Sequence, residues 1–429
     1  MRILIEDVNI LIDDKIVENK NILIENDIIK QISDSKSFGR IDYIIDGKNK
    51  IALPGLVNTH THLAMTLFRG FADDLPLKEW LEEKIWPQEA KLTADDVYWG
   101  SLLGICEMIR GGTVAFADMY FFMDEVAKAV AESGIKASLS VGMIGMAGDE
   151  NETLNRGVSF AKNWHNAEDG RIRVMLGPHA PYTCPPSFLE KVIDKAIEMS
   201  LGIHTHLSET YLEVENIKNM YGLTPIRLMD RVGLFNVPVL AAHCVFVDDE
   251  EIEILSEKGV GVAHNPQSNL KLASGVAPVK KMLEKGVKVG LGTDGPASNN
   301  NLDMWEEIRL VATLHKGVER DPICVPARDA LIMATKNGME ILGFENSGII
   351  KEGYKADLIL VDVNKPHFYP RHNLVSHLVY SASSSDVDTV IVDGRILMEK
   401  RELKTLDEEK IMYEAEKRAF ELIKKKLGG

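Results

Sequence analysis

Eight short apolar runs, separated by amphipathic segments, constrain this chain more than any other feature. They lie at 56–60, 113–119, 136–143, 172–178, 202–208, 237–243, 259–265 and 288–294. A short apolar run bounded by turn residues reads as a buried strand. Between them, 93–110, 123–133, 185–199 and 248–258 carry helical periodicity. Thr93 with Asp96, and Asp248 with Glu251, have the spacing of capping boxes. Eight strands alternating with helices predict a closed parallel (β/α)8 barrel of the TIM type. The alternative is an open doubly wound sheet, but no glycine fingerprint follows the first strand.

The flanks read differently. Residues 2–53 alternate apolar and polar, through Ile3, Ile5, Val8, Ile10 and Ile12 and then Ile22 and Ile24. Asp13-Asp14 and Glu25-Asn26-Asp27 mark turns, so this part predicts short antiparallel strands. Helical patterns at 304–316 and 327–342 follow the barrel runs. Strand alternation returns at 356–363 and 387–398, with Asp393-Gly394 as a hairpin turn. The expected organisation is a small β-sandwich domain built from residues 1–53 and 351–405, and a barrel over 54–350. Residues 406–429 follow, with a charged, solvated helix expected over 406–427.

Formal net charge is −16, which argues against a nucleic-acid or anionic-membrane partner. An anionic small substrate held by one local cation remains compatible with it. No apolar run reaches spanning length, and charge appears too early for a secretion signal. The four cysteines form no Cys-x-x-Cys pair and read as reduced thiols in a cytoplasmic protein. The totals leave a homo-oligomer open.

Barrel chemistry sits at the C-terminal ends of the strands. His60 and His62 end the first run two residues apart, so they share a face. His179, His206, His243 and His264 fall at or just past later strand ends, and Asp294 closes the eighth in Gly-Thr-Asp-Gly. Polar groups aimed into one mouth need partners, and a divalent cation satisfies several together. His60, His62, His206 and Asp294 are the expected ligands. Imidazole with carboxylate suits Zn²⁺ first, and Fe²⁺ also. His204 shares the face of His206 and is the alternative on that strand; His206 lies nearer the mouth. No lysine ends the fourth strand, in Gly-Pro-His179-Ala-Pro-Tyr, so one metal ion is expected rather than two.

Glu209 lies three residues past His206, placed to carry a proton to a reacting nitrogen. His243 is placed to hold an attacking water and take its proton. His264 reads as structural or pocket-lining. The segment 67–93 carries Phe68, Phe71, Trp80 and Trp86, suited to a planar heterocycle or to core packing, with Trp80 assigned to the core. Glu89 is placed to accept sugar hydroxyls or to act as a helix N-terminal charge. Arg156 meets either a substrate carboxylate or solvent.

The whole chain resembles the amidohydrolase superfamily: a split β domain, a barrel, and His60-x-His62, His206, His243 and Asp294 in strand order. Pro-Gly-Leu-Val-Asn-Thr-His-Thr-His, the 75–89 segment beginning Leu-Pro-Leu-Lys-Glu-Trp, Thr-His-Leu-Ser-Glu-Thr, His-Asn-Pro-Gln-Ser-Asn-Leu-Lys-Leu and Gly-Thr-Asp-Gly-Pro-Ala-Ser-Asn-Asn resemble its 5′-methylthioadenosine/S-adenosylhomocysteine deaminases. The resemblance implies metal ligation by His60, His62, His206 and Asp294. It implies substrate contacts at Glu89 for ribose hydroxyls, His179 for the purine ring, Glu209, and Asp294. It also implies an arginine for a homocysteine carboxylate, with Arg156 as the candidate. The implied reaction is hydrolytic loss of the 6-amino group from adenosine-type nucleosides. Glu209 would protonate N1, while His243 and Asp294 would manage the water. Some of these motifs are shared with chlorohydrolases and guanine deaminases, so those activities, pyrimidine (cytosine) deamination and a non-catalytic binding barrel stay as alternatives.

Overall fold

The computed structural model describes residues 1–424 except 36, 76–78 and 147. Three residues of the 75–89 motif and the last three of the expected terminal helix therefore lie outside the described residues. The strands are β1 (Arg2–Ile12), β2 (Lys15–Glu25), β3 (Ile28–Ser33), β4 (Tyr43–Asp46), β5 (Lys50–Pro54), β6 (Leu56–Thr61), β7 (Thr113–Tyr120), β8 (Lys136–Met143) and β9 (Ile172–Pro178). They continue with β10 (Gly202–Leu207), β11 (Val239–His243), β12 (Gly261–His264), β13 (Lys288–Leu291), β14 (Leu358–Asp362), β15 (Val387–Val392), β16 (Arg395–Glu399) and β17 (Glu402–Leu403).

Strands β6 to β13 form an eight-stranded sheet in sequence order, parallel throughout. Every residue of β6 and β7 is buried, because helices cover one face and the barrel interior the other. That double burial is why these runs show no alternation of buried and exposed residues. The sheet closes on itself through side chains at the β6–β13 seam. Asn58 Nδ2 donates to Thr293 Oγ1 at 2.8 Å, and Asn58 Oδ1 accepts from the Thr293 amide at 3.0 Å. Thr59 Oγ1 donates to the Leu291 carbonyl at 2.9 Å. The result is a (β/α)8 barrel.

Both predicted capping boxes are present. Asp96 Oδ2 accepts from the Thr93 amide at 2.9 Å, and Asp248 Oδ1 accepts from the Glu251 amide at 3.0 Å. The run expected over 327–342 is instead two helices, Ala327–Met333 and Lys336–Ile341. The Ala334 carbonyl accepts from the Val57 amide of β6 at 2.8 Å, and Thr335 leaves helical geometry. A barrel strand has taken the acceptor that helix continuation would have used.

The remaining strands make one mixed sheet, ordered β17-β16-β15-β14-β5-β1-β2-β3, with β4 beside β1. The expectation of antiparallel strands holds for β1–β2 and β2–β3, but β4 and β5 pair with β1 in parallel. The chain crosses over before returning to the other edge of β1. The antiparallel β5–β14 pair joins the two chain ends. Asp393 and Gly394 both have positive φ, 45° and 70°, as a two-residue hairpin turn of this type requires. This sheet has its own core of Ile3, Ile5, Ile10, Ile22, Leu358 and Ile391. On these memberships we propose domain limits of 1–53, 54–350, 351–405 and 406–429. The last helix, Glu408–Lys424, is less solvated than its charge implies. It buries Ile411, Ala415 and Leu422, and Glu408 pairs with Arg110.

Lys136, at the start of β8, ties the barrel to the small domain. Its buried ammonium pairs with Asp357 and, at 2.8 Å, with Asp393. Lys136→Met leaves the fully buried Asp357 carboxylate without its cation and Asp393 with only Lys355, 3.8 Å away. Unfolding in denaturant is expected to show a loss of about 3–5 kcal/mol.

Candidate metal centre

The C-terminal ends of β6, β10, β11 and β13 converge on one point. His60 Nε2 and His62 Nε2 each lie 3.4 Å from Asp294 Oδ1. His206 Nε2 is 3.3 Å from His62 Nε2. One ligand atom each from His60, His62 and His206 lies within 4.8 Å of the others, as do those of His60, His243 and Asp294.

The outer partners fix which nitrogen faces inward. His62 Nδ1 is 2.7 Å from the Met119 carbonyl, and His206 Nδ1 is 2.8 Å from the His179 carbonyl. A carbonyl only accepts, so both Nδ1 atoms carry the proton and both Nε2 atoms offer a lone pair. His60 Nδ1 faces His204 Nε2 at 2.8 Å, while His60 Nε2, fully buried, has no hydrogen-bond partner. Asp294 Oδ2 accepts from Ser268 Oγ at 2.7 Å and Ser298 Oγ at 2.8 Å, leaving Oδ1 for the imidazoles. An orphaned buried nitrogen among neutral imidazoles and one carboxylate is the donor set of a divalent metal.

Burial sets the protonation states. It lowers His60 to about 4 and His179 to about 3, and holds His204 and His206 well below the ordinary value. Neighbouring imidazoles push the same way. Burial works against the Asp294 carboxylate, but His60, His62 and His243 together hold its pKa well below the usual range. Burial raises Glu209 and Glu89; it is opposed at Glu209 by His243, His62 and the Ser274 hydroxyl, and at Glu89 by the Tyr120 hydroxyl and His62. For His243 burial is outweighed by the Glu209 and Asp294 carboxylates, and its pKa is raised.

The backbone at the site is unusual. Ser208, His243 and Asp294 have φ of 53°, 75° and 62°. Such left-handed residues cost about 1–2 kcal/mol each and gather where function over-determines the geometry.

A cavity of about 560 Å³ opens over these groups. Glu209 and His243 line it, with His243 Nε2 3.9 Å from Glu209 Oε2. Glu213 accepts from the amides of Ser208 and Glu209, at 2.9 and 2.8 Å, and so fixes the turn that aims Glu209. Glu89 lines it half-buried, accepting from the Tyr120 hydroxyl at 2.7 Å. His179 lines it with Nδ1 3.0 Å from Thr183 Oγ1. Trp86 borders it; so does Trp80, which belongs to the core as well, while Phe68 is buried in the core.

Arg156 is not brought to the cavity. It is exposed on helix Glu150–Trp164, with Nη2 3.3 Å from Thr153 Oγ1. The helical phase turns it to solvent, whereas the sequence reading placed it only by its polar neighbourhood. His264 is buried, its Nε2 3.2 Å from His315 Nε2, and is structural.

The model of the amidohydrolase family matches residues 51–397. The chain belongs to that family. It is 99% identical, over 99% of its length and all of the relative's, to a 5-methylthioadenosine/S-adenosylhomocysteine deaminase of Dictyoglomus thermophilum. Among solved structures it is similar to an adenosine deaminase from Xanthomonas campestris with bound zinc, at TM-score 0.95, 34% identity and 99% coverage of both chains. It is also similar to an atrazine chlorohydrolase from Arthrobacter aurescens complexed with zinc, at TM-score 0.91, 26% identity and 98% and 100% coverage.

In this amidohydrolase the sequence left unread the roles of Ser268 and Ser298, which hold Asp294, and of Glu213, which aims Glu209. His204, read as the alternative to His206, has Nε2 2.8 Å from His60 Nδ1. The serines lie inside motifs of the sequence, but their reach to Asp294 runs between loops and leaves no pattern of its own. Titration with a metal-binding dye is expected to separate ligand from support. His206→Ala should lose stoichiometric binding, and His204→Ala should bind about 10–100-fold more weakly. Equal losses would make His204 a ligand.

Proposed function

We propose that this amidohydrolase hydrolyses the 6-amino group of adenosine-type nucleosides, giving the inosine analogue and ammonia. Its substrates would include 5′-methylthioadenosine, S-adenosylhomocysteine, 5′-deoxyadenosine and adenosine. The observation that carries this reading is a buried acid, Glu209, sharing one cavity with the imidazole–carboxylate cluster, in a chain 99% identical to a protein of that name.

One divalent ion, zinc by preference and Fe²⁺ otherwise, would be held by His60, His62, His206 and Asp294. It would supply Lewis acidity, the chemistry that brings the pKa of water towards about 7. His179 stands beside the purine ring. Glu89 accepts hydrogen bonds from the ribose hydroxyls. Glu209, kept protonated more readily by burial, gives its proton to N1 and makes C6 electrophilic. His243 Nε2 and Asp294 orient the attacking water and take its proton. Water adds at C6, the C6–N bond breaks, and the amino group leaves as ammonia after protonation.

The setting proposed is cytoplasmic. All four cysteines are unpaired and buried, and no helix among the described residues is long and apolar enough to cross a membrane. A homo-oligomer is compatible with the reading. The partner is a small nucleoside, with no nucleic acid and no membrane.

Glu209→Gln is expected to keep its metal and to lower kcat by about 10²–10⁴-fold. Ammonia release and metal content measured on one sample decide this. Near-native turnover in the metal-replete variant removes Glu209 from the mechanism. Chloride release from a chlorotriazine, without ammonia from any nucleoside, would favour the chlorohydrolase reading instead.

A further inference from the structure

We infer that Asn269 is a positioning residue that acts through His243, holding the imidazole in the tautomer whose Nε2 lone pair faces the cavity. Its role in turnover rests on the deaminase reading above, whereas the tautomer itself can be read without it.

Among the described residues, strand β12 puts no side chain into the cavity, and its last residue, His264, lies against His315. The helical turn that follows, Pro266–Lys271, reaches the mouth instead. Two of its side chains meet the pair that handles the water. Ser268 Oγ donates to Asp294 Oδ2 at 2.7 Å. Asn269 Oδ1 lies 2.8 Å from His243 Nδ1, and both residues are buried. The backbone of Asn269 is held on both sides. Its amide donates to the Asn265 carbonyl at 3.0 Å, and its carbonyl accepts from the Ser274 amide at 2.8 Å.

An amide oxygen only accepts, so His243 Nδ1 carries the proton and Nε2 keeps its lone pair. Nε2 stands on the cavity side, 3.9 Å from Glu209 Oε2. The Asn265 Nδ2 atom is farther from Nδ1, at 3.4 Å, beyond the usual hydrogen-bond range. Once Nε2 has taken a proton from water, both ring nitrogens are donors. Only the oxygen end of an amide can then face Nδ1. One orientation of Asn269 therefore serves His243 before and after the transfer. Stacking alone leaves the ring's edge open. The His243 ring lies 22° from parallel with that of His206, with centroids 5.5 Å apart. A half-turn about Cβ–Cγ keeps this stacking while exchanging ring nitrogens for carbons. The hydrogen bond to Asn269 distinguishes the two edges.

Kinetics, metal titration and nitrogen NMR of the zinc-replete enzyme test this together. Asn269→Leu keeps a similar bulk and removes the acceptor. It is expected to lower kcat for 5′-methylthioadenosine about 10–100-fold with KM within about threefold, and to keep stoichiometric metal. Asn269→Asp restores an acceptor at Nδ1 and is expected to exceed the leucine variant in kcat by at least about fivefold. Native kcat in Asn269→Leu, or an aspartate variant no better than the leucine one, overturns the inference. Loss of metal from Asn269→Leu overturns it as well, since the residue would then act on the ligands. Long-range proton–nitrogen spectra of the unaltered protein, taken on the alkaline side of neutrality, are expected to show His243 Nδ1 protonated and Nε2 free. The His243 signals are assigned by their loss in His243→Gln. The opposite tautomer overturns the inference whether or not any Asn269 variant folds. No ammonia from any nucleoside with the unaltered enzyme sinks the deaminase reading, and the spectra then still decide the tautomer.

Discussion

Everything at the mouth of the barrel depends on closing β6 against β13. Residue 294 is far from residues 60 and 62 along the chain, and only closure brings a carboxylate to two imidazoles. The Asp294 amide donates to the His60 carbonyl at 3.0 Å, so the backbone that carries one ligand is bonded to the backbone that carries another. The approach is too close for side chains. A Cβ on Gly292 would lie 2.4 Å from Asn265 Oδ1 and 2.9 Å from the His60 amide nitrogen. Glycine there is a condition of the site and not of flexibility.

Ligand placement is next fixed from outside. His62 and His206 are each held through Nδ1 by a carbonyl and thereby present Nε2, while His60 Nδ1 rests against His204. The fixing groups are backbone carbonyls of β7 and of the β9 end, together with His204. Neighbouring strands therefore orient ligands that they do not supply. Glu307 extends the same logic to the β12 and β13 loops. It accepts from Asn299 Nδ2 at 2.7 Å and from the Gln267 amide at 3.3 Å, and so joins the loops that bring Ser268 and Ser298 to Asp294.

How much of this a single sequence discloses follows from the range of the interaction responsible. The barrel strands were legible to within three residues at each end because each is a short, doubly buried run set between amphipathic segments. The clustering of His60, His62, His206 and Asp294 was legible because a strand end fixes which side chains enter the mouth. The Thr335 break was hidden, since its cause is an amide of β6 almost three hundred residues earlier. Parallel pairing of β4 and β5 with β1 was hidden for a like reason: alternation reports which face is buried and says nothing of the neighbour. Arg156 failed because a helix turns a polar residue to solvent as readily as to a site, and only three-dimensional phase decides.

One cause, burial, sorts the titratable groups of the mouth into roles. Removing water disfavours charge of either sign, so His60, His179, His204 and His206 favour the neutral form and keep lone pairs, while carboxyls hold protons longer; His243, beside two carboxylates, is the exception. The first effect suits His60 and His206 to donate to a cation. The second makes Glu209 a readier store for a proton than an exposed carboxyl. Asp294 escapes because imidazoles and two serine hydroxyls surround it. Among the described residues lining the cavity, Asp294, set against the imidazole nitrogens, is held as an anion, whereas Glu209, biased toward its acid form, stands 3.9 Å from His243, beside the reacting space. Neither assignment needs a special residue type. The same dry pocket produces both, and the difference lies in how many partners each carboxylate is given.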